Sequence, residues 1–201
     1  SGAAQSLLEG KNPHGLTFGS NAGFWFYSPN CGLLLYGPFA YFPQALGQGL
    51  FMGLSLIVLI TGAFQFWRSY EPDLKIENKV FKHLIWIVAS SEIIGTFLNE
   101  RIEILILGIL FWSLALWRSS KVHNEYWALI LLALISEWKS QTLLIAAFWL
   151  FKSPWKHRFV FIFSFIIWHL WPALYLGWDS FWDFEAQRKE GLQVWMQSPY
   201  R

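Results

Sequence analysis

The sequence predicts an all-α fold: a polytopic transmembrane helix bundle with re-entrant half-helices. Three observations predict it. Hydrophobic residues make up 55 % of the 201-residue chain and charged residues only 14 %, against about 25 % charged in a soluble domain. Several stretches reach or approach the roughly 20 apolar residues that cross a bilayer as a helix. One apolar stretch, "LALISEWKSQTLLIAAF" (132–148), carries a polar plug in its middle.

Composition also removes other classes. Fourteen Trp and nineteen Phe are more than a soluble core of this size needs. The net charge is +2 and no Lys/Arg run occurs, so no nucleic-acid partner is expected. The single Cys31 forms no internal disulfide. The five His (14, 83, 123, 157 and 169) lack metal-ligand spacing, so neither a metal site nor a cofactor is assigned. P-loop, GxGxxG and CxxC motifs do not occur.

Residues 46–67 form the first span, free of charge. Residues 80–98 are long enough but contain Lys82, His83 and Glu92. Residues 102–117 are slightly short and contain Glu103. Residues 159–177 form a good span around His169 and Pro172. Residues 30–45 are apolar but short, and Gly37, Pro38 and Pro43 break them.

Positive residues mark the cytoplasmic side. Arg68, Lys75, Lys79 and Lys82 follow or flank the first span, Arg118 and Lys121 follow the third, and Lys152, Lys156 and Arg158 precede the last. Residues 126–151 therefore have cytoplasmic charges at both ends, so the segment enters and returns, with residues 136–141 near the outer tip. Each arm reaches roughly 15–18 Å at 1.5 Å per residue, too short for a hydrocarbon core of about 30 Å. A pair of half-helices follows, its tip facing protein or a water-filled cavity. The alternative is one tilted helix over 126–151, which places the two flanking basic groups on opposite sides.

The chain then forms one membrane domain over 1–201. Residues 1–45 are an external segment with short re-entrant or interfacial helices, 46–177 the transmembrane bundle, and 178–201 an interfacial tail. The tail's "WDSFWDFEAQRKEG" mixes Trp, Phe and acids and suits an amphipathic helix at the interface; a plain solvated helix is the alternative. Trp25, Tyr27, Tyr36, Tyr41, Trp178 and Trp182 form an outer aromatic belt, and Trp67, Trp117, Trp127 and Trp155 an inner one.

Ionisable residues inside membrane segments are costly and usually have a partner or a function. Asn99, Glu100 and Arg101 in a tight turn, with Glu137, Lys139 and Gln141 at the re-entrant tip, are the candidate substrate-binding residues at the outer boundary. Arg101 and Lys139 suit a phosphate or diphosphate headgroup. Glu100 or Glu137 can accept hydrogen bonds from sugar hydroxyls or serve as a base. Mutual neutralisation, Glu100 with Lys139 and Glu137 with Arg101, is the competing account. Glu92 and Glu103 are expected to satisfy Ser, Trp or backbone groups between helices.

Four stretches, in order, carry a family resemblance. They are "AAQSLLEGKNPH" (3–14), "FWFYSPNCGLLLYGPFAYFP" (24–43), "LNERIEILILGILFWSLAL" (98–116) and "ALILLALISEWKSQTLLIAAFWLF" (128–151). This layout resembles the polyprenyl-phosphate-mannose-dependent mannosyltransferases: membrane enzymes of the C-type glycosyltransferase class, in glycosyltransferase family 87 and its GPI-mannosyltransferase relatives. Leu98 stands where the family's usual Gly precedes the polar turn, and Glu137–Trp138 where a small residue precedes the family's Lys. Measured against the family pattern, the chain reads as truncated at both ends, and the family's acidic catalytic base has no position here onto which it can be carried.

The resemblance implies a metal-independent inverting transfer from a polyprenyl-phosphate sugar donor of the mannose type. The donor enters from the membrane lipid at the non-cytoplasmic face, and Lys139 and Arg101 are the positions for its phosphate. It implies a multi-pass protein of the bacterial inner membrane rather than the endoplasmic reticulum. A non-catalytic subunit packing against other membrane protein subunits is the second function the sequence allows.

Overall fold

A computed structural model describes residues 33–34, 37–74, 102–119, 121–139, 141–151 and 153–197. Among the described residues the chain is helical without strands, in seven helices: α1 (Gly37–Ala40), α2 (Gln44–Leu74), α3 (Glu103–Arg118), α4 (Val122–Trp138), α5 (Gln141–Phe151), α6 (Trp155–Leu176) and α7 (Trp178–Gln197). The expected span at 80–98 and the turn at 99–101 lie outside the described residues.

Helix α4 is the axis of the bundle. Ala128, Leu129, Leu132, Ala133, Ile135 and Ser136 are almost wholly enclosed, so this helix is buried nearly all round, as a hydrophobic helix inside a bundle must be. It packs between α3 and α6, with α5 alongside. Ser113 Oγ on α3 donates to Ala128 O at 2.6 Å, and Trp168 Nε1 on α6 donates to Ile130 O at 3.3 Å. Interhelical side-chain hydrogen bonds of this kind are a standard contact between membrane helices.

Helices α2 and α3 run in the same direction. Gly62 faces Gly108 near their midpoints, Phe66 stacks on Phe111, and the Arg118 guanidinium lies 5.7 Å from the Tyr70 ring at their ends. At the crossing the backbones touch: a Cβ on Gly62 would lie 2.4 Å from Gly108 O, and one on Gly108 only 2.7 Å from Leu59 N. Small residues are what allow such an approach. Trp112 Nε1 donates to Thr61 Oγ1 at 3.2 Å beside it.

The polar plug breaks the long apolar segment. Lys139 is extended (φ −143°, ψ 111°) and ends α4, its N–H bonded to Ile135 O. Thr142 N donates to Lys139 O at 3.0 Å, and Thr142 Oγ1 lies 2.9 Å from Ile135 O, which ties the first turn of α5 back to the last turn of α4. Helix α5 then returns. Trp149 near its far end meets Trp117 in the last turn of α3, ring centroids 4.8 Å apart. Arg158 caps the finish, donating to Leu150 O, Phe151 O and Ser153 O, carbonyls that a helix end leaves unpaired. The single tilted helix over 126–151 is therefore excluded: α4 and α5 form an antiparallel hairpin.

Helix α6 starts beside the start of α4, where His157 Nε2 lies 3.2 Å from Glu125 Oε2. It runs parallel to α4 and ends at Gly177, whose φ of 81° lets the chain leave the helix and begin α7 at once. On α7, Phe181, Phe184 and Glu185 are buried. Their spacing of three and four is one face of a helix, and this face seats α7 on the last turns of α6.

Among the described residues two helical stretches, Ala45–Tyr70 and Trp155–Leu176, are long and apolar enough to cross a membrane. Only 28 % and 17 % of their apolar windows are buried. Their outward faces, including Leu50, Leu54, Ile57, Phe64, Phe163 and Ile167, are exposed hydrocarbon. Contiguous apolar surface on that scale is foreign to a soluble monomer and is the surface a bilayer covers. Of the expected aromatic belts, Tyr41, Trp178, Trp182, Trp127 and Trp155 are exposed. Trp117 departs from the inner belt: it is packed edge-on against Trp149 and His157.

Candidate functional site

The starts of α3 and α5 and the ends of α4 and α6 share one end of the bundle. The last turn of α4 sends an ionic side chain to each neighbour there. Lys139 reaches α3, where its Nζ donates to Glu103 Oε1 at 2.5 Å. Glu137 reaches α6, where its Oε1 lies 3.4 Å from His169 Nδ1. The two pairs therefore flank α4 on different sides at one level.

Their exposure differs. Lys139 and Glu103 are about one-third exposed, at 32 % and 33 % of their side chains. Glu137 is enclosed, with 3 % of its side chain accessible, whereas His169 retains 31 %. A carboxyl group so enclosed needs a polar partner beside it, and His169 Nδ1 is one. The edge of Phe181 from α7 meets the His169 ring, centroids 5.6 Å apart at 76°, so α7 fixes the ring as well as covering the helix end.

Two polar atoms in the same turn of α4 have no partner in the protein among the described residues: Ser136 Oγ and Trp138 Nε1, both buried. Buried polar groups are nearly always hydrogen-bonded, so each of these two atoms calls for a partner beyond the described residues. Gln141 is exposed at the first residue of α5. The positive end of the α5 dipole lies beside Lys139, with the Thr142 N–H of that turn bonded to Lys139 O.

The structure thus brings Glu137, Lys139 and Gln141 together at one end. Asn99, Glu100 and Arg101 lie outside the described residues. Two partners of the site differ from expectation. Glu103, expected to satisfy Ser, Trp or backbone groups, instead holds Lys139, because α3 and α4 run antiparallel and its first turn meets the last turn of α4. His169, expected only as a polar residue within a span, is the partner of Glu137. The signal that could have found both was the rule that a charge in a membrane segment needs an opposite or titratable group at the same depth.

The opposite end is basic. Arg118, Lys121, Lys156 and Arg158 gather there with the end of α2. Among the described residues no group of three His, Cys, Asp or Glu is arranged to hold a metal ion.

Set beside known proteins, the chain matches neither a curated protein nor a solved structure. It does match the family model of glycosyltransferase family 87, over residues 25–190. That match takes in every helix that builds the polar end and most of the chain, and with the hydrocarbon faces of α2 and α6 it identifies a glycosyltransferase-like membrane protein: the chain belongs to glycosyltransferase family 87.

Proposed function

We propose that the protein handles a lipid-phosphate-linked sugar of the mannose type at the non-cytoplasmic face of a bacterial inner membrane, as a multi-pass glycosyltransferase. The observation that carries this reading is Lys139 at the break between α4 and α5. A cation there sits beside the positive end of the α5 dipole, which also favours an anion. The lipid-facing surface of α5, with Leu144 and Phe148 exposed, begins within two turns of it. A phosphate joined to a long isoprenoid chain needs that combination: a charge-assisted donor next to hydrocarbon.

Charge supports the proposed sidedness: the positive-inside rule favours a cytoplasmic position for the basic end of the bundle, and with it an outward position for the Glu103–Lys139 and Glu137–His169 end. The proposed substrate-binding set is Asn99, Glu100, Arg101, Glu137, Lys139 and Gln141, the first three directly preceding Ile102 in the sequence.

In the reaction, a lysine that neutralises the leaving lipid phosphate stabilises charge as it develops. We expect Lys139→Ala to abolish binding of polyprenyl phosphate, measured by retention of radiolabelled lipid on protein reconstituted in vesicles. Unchanged binding removes the donor reading.

A further inference from the structure

Resting on the donor reading above, we infer that Thr142 is the positioning residue of the proposed phosphate site: its hydroxyl holds the break between α4 and α5 and so sets where Lys139 stands.

The break has no ordinary cause in the sequence. Residues 126–151 contain neither Gly nor Pro. Helices kink or break at those residues, or where a side chain inserts itself into the hydrogen-bond ladder, and only the last is open here. Lysine by itself is a good helix former, yet Lys139 is extended. Thr142 supplies the competing bonds. Its Oγ1 lies 2.6 Å from Lys139 O and 2.9 Å from Ile135 O. A hydroxyl has one proton, shared here between two carbonyls as a three-centre bond. The Thr142 N–H donates to Lys139 O at 3.0 Å, and the Lys139 N–H donates to Ile135 O at 3.0 Å. Both backbone polar groups of Lys139 are thereby tied within the break. In an unbroken helix, Lys139 O would accept from the N–H of residue 143 instead. Threonine hydroxyls that bond to nearby carbonyls compete with the ladder in this way. Thr142 is buried, with 6 % of its surface accessible, so water does not replace the bond.

Position becomes affinity through population. Lys139 Nζ reaches Glu103 on α3 from this extended backbone, and a lipid phosphate would meet the ammonium there. A site whose competent arrangement is only partly populated binds more weakly by that fraction. Removing the hydroxyl shifts the balance from the broken toward the continuous backbone by the net worth of one hydrogen bond, about threefold to tenfold. The lysine stem is flexible, so part of the affinity survives.

The test is saturation binding of radiolabelled polyprenyl phosphate to the full protein in vesicles. Thr142→Val keeps the shape and loses the hydroxyl. Its Kd should rise about threefold to tenfold, with as many sites per protein as in the wild type. Thr142→Ala, measured alongside, should show the same rise and covers a failure of the valine variant to fold. Thr142→Ser should restore most of the affinity. Polyprenol, the same chain without phosphate, should bind wild type and Thr142→Val alike, because Lys139 acts on the phosphate. Ser69→Ala removes a comparable bond, from Ser69 Oγ to Gln65 O at 2.8 Å, at the far end of α2, and should bind as wild type. An unchanged Kd in Thr142→Val and Thr142→Ala overturns the inference alone. So does a loss confined to the number of sites, a loss that Thr142→Ser does not restore, or an equal loss for polyprenol. Absence of polyprenyl-phosphate binding by the wild type removes the donor reading and this inference with it.

Discussion

At the scale of single residues, the polar end is a competition for charge. Lys139 is bound by Glu103 and, on the proposed reading, by the substrate phosphate. Both cannot hold it equally. Neutralising Glu103 frees the ammonium, so Glu103→Gln should tighten polyprenyl-phosphate binding a few-fold in the same vesicle assay. It should cost the fold little, about 0.2–1 kcal/mol, because the pair is one-third exposed and such pairs are weak. Weaker lipid binding in Glu103→Gln would mean that the carboxylate positions the lysine rather than competing with phosphate. Sequence reasoning reached Lys139 and Glu137 because two charges in the middle of an apolar run stand out against composition. It did not reach Glu103 and His169 as their partners. Each lies 32 or more positions away in the chain, and only helix packing decides which distant residues meet.

At the scale of elements, backbone contact controls the α2–α3 crossing. Gly108 has no room for a side chain, since the atoms that a Cβ would meet, Leu59 N and Cα and Val58 C, are all backbone within 2.8 Å. Backbone does not yield as a side-chain tip does, so Gly108→Leu should destabilise by at least the 1–3 kcal/mol or so typical of overpacking. Gly53, on α2, has open space where a Cβ would stand. Gly53→Ala should be neutral, or stabilising by up to about 1 kcal/mol through helix propensity. Thermal unfolding in detergent checks both; equal effects would show that the crossing is not tight. The sequence displays these two glycines identically, each set in an apolar helix. Their difference lies in what stands opposite.

At the scale of the whole molecule, the hairpin of α4 and α5 determines the topology. If it enters and returns, the segments on either side of it share a compartment. With Cys31 replaced by Ser, single cysteines at His123 and Lys156, both exposed, should react with a membrane-impermeant thiol reagent from the same side. A cysteine at Asp179, exposed at the start of α7, should react from the other. Labelling of the His123 and Lys156 positions from opposite sides would turn the hairpin into a full crossing and dissolve the proposed outer site.

The sequence by itself determined the class, the main helices and the break at Lys139. Each of these depends on local quantities: apolar length against bilayer thickness, turn-forming or charged interruptions, and the placement of Lys and Arg around spans. Only the tertiary structure decided that α2 and α3 run parallel, that α5 folds back to Trp117, and that Lys139 and Glu137 turn to different neighbours. The physical reason is that lipid tails and protein interiors are equally apolar. Hydrophobicity therefore puts a helix in the membrane but does not tell it which helix to face, and that choice falls to close glycine contacts, a few hydrogen bonds and the pairing of buried charge.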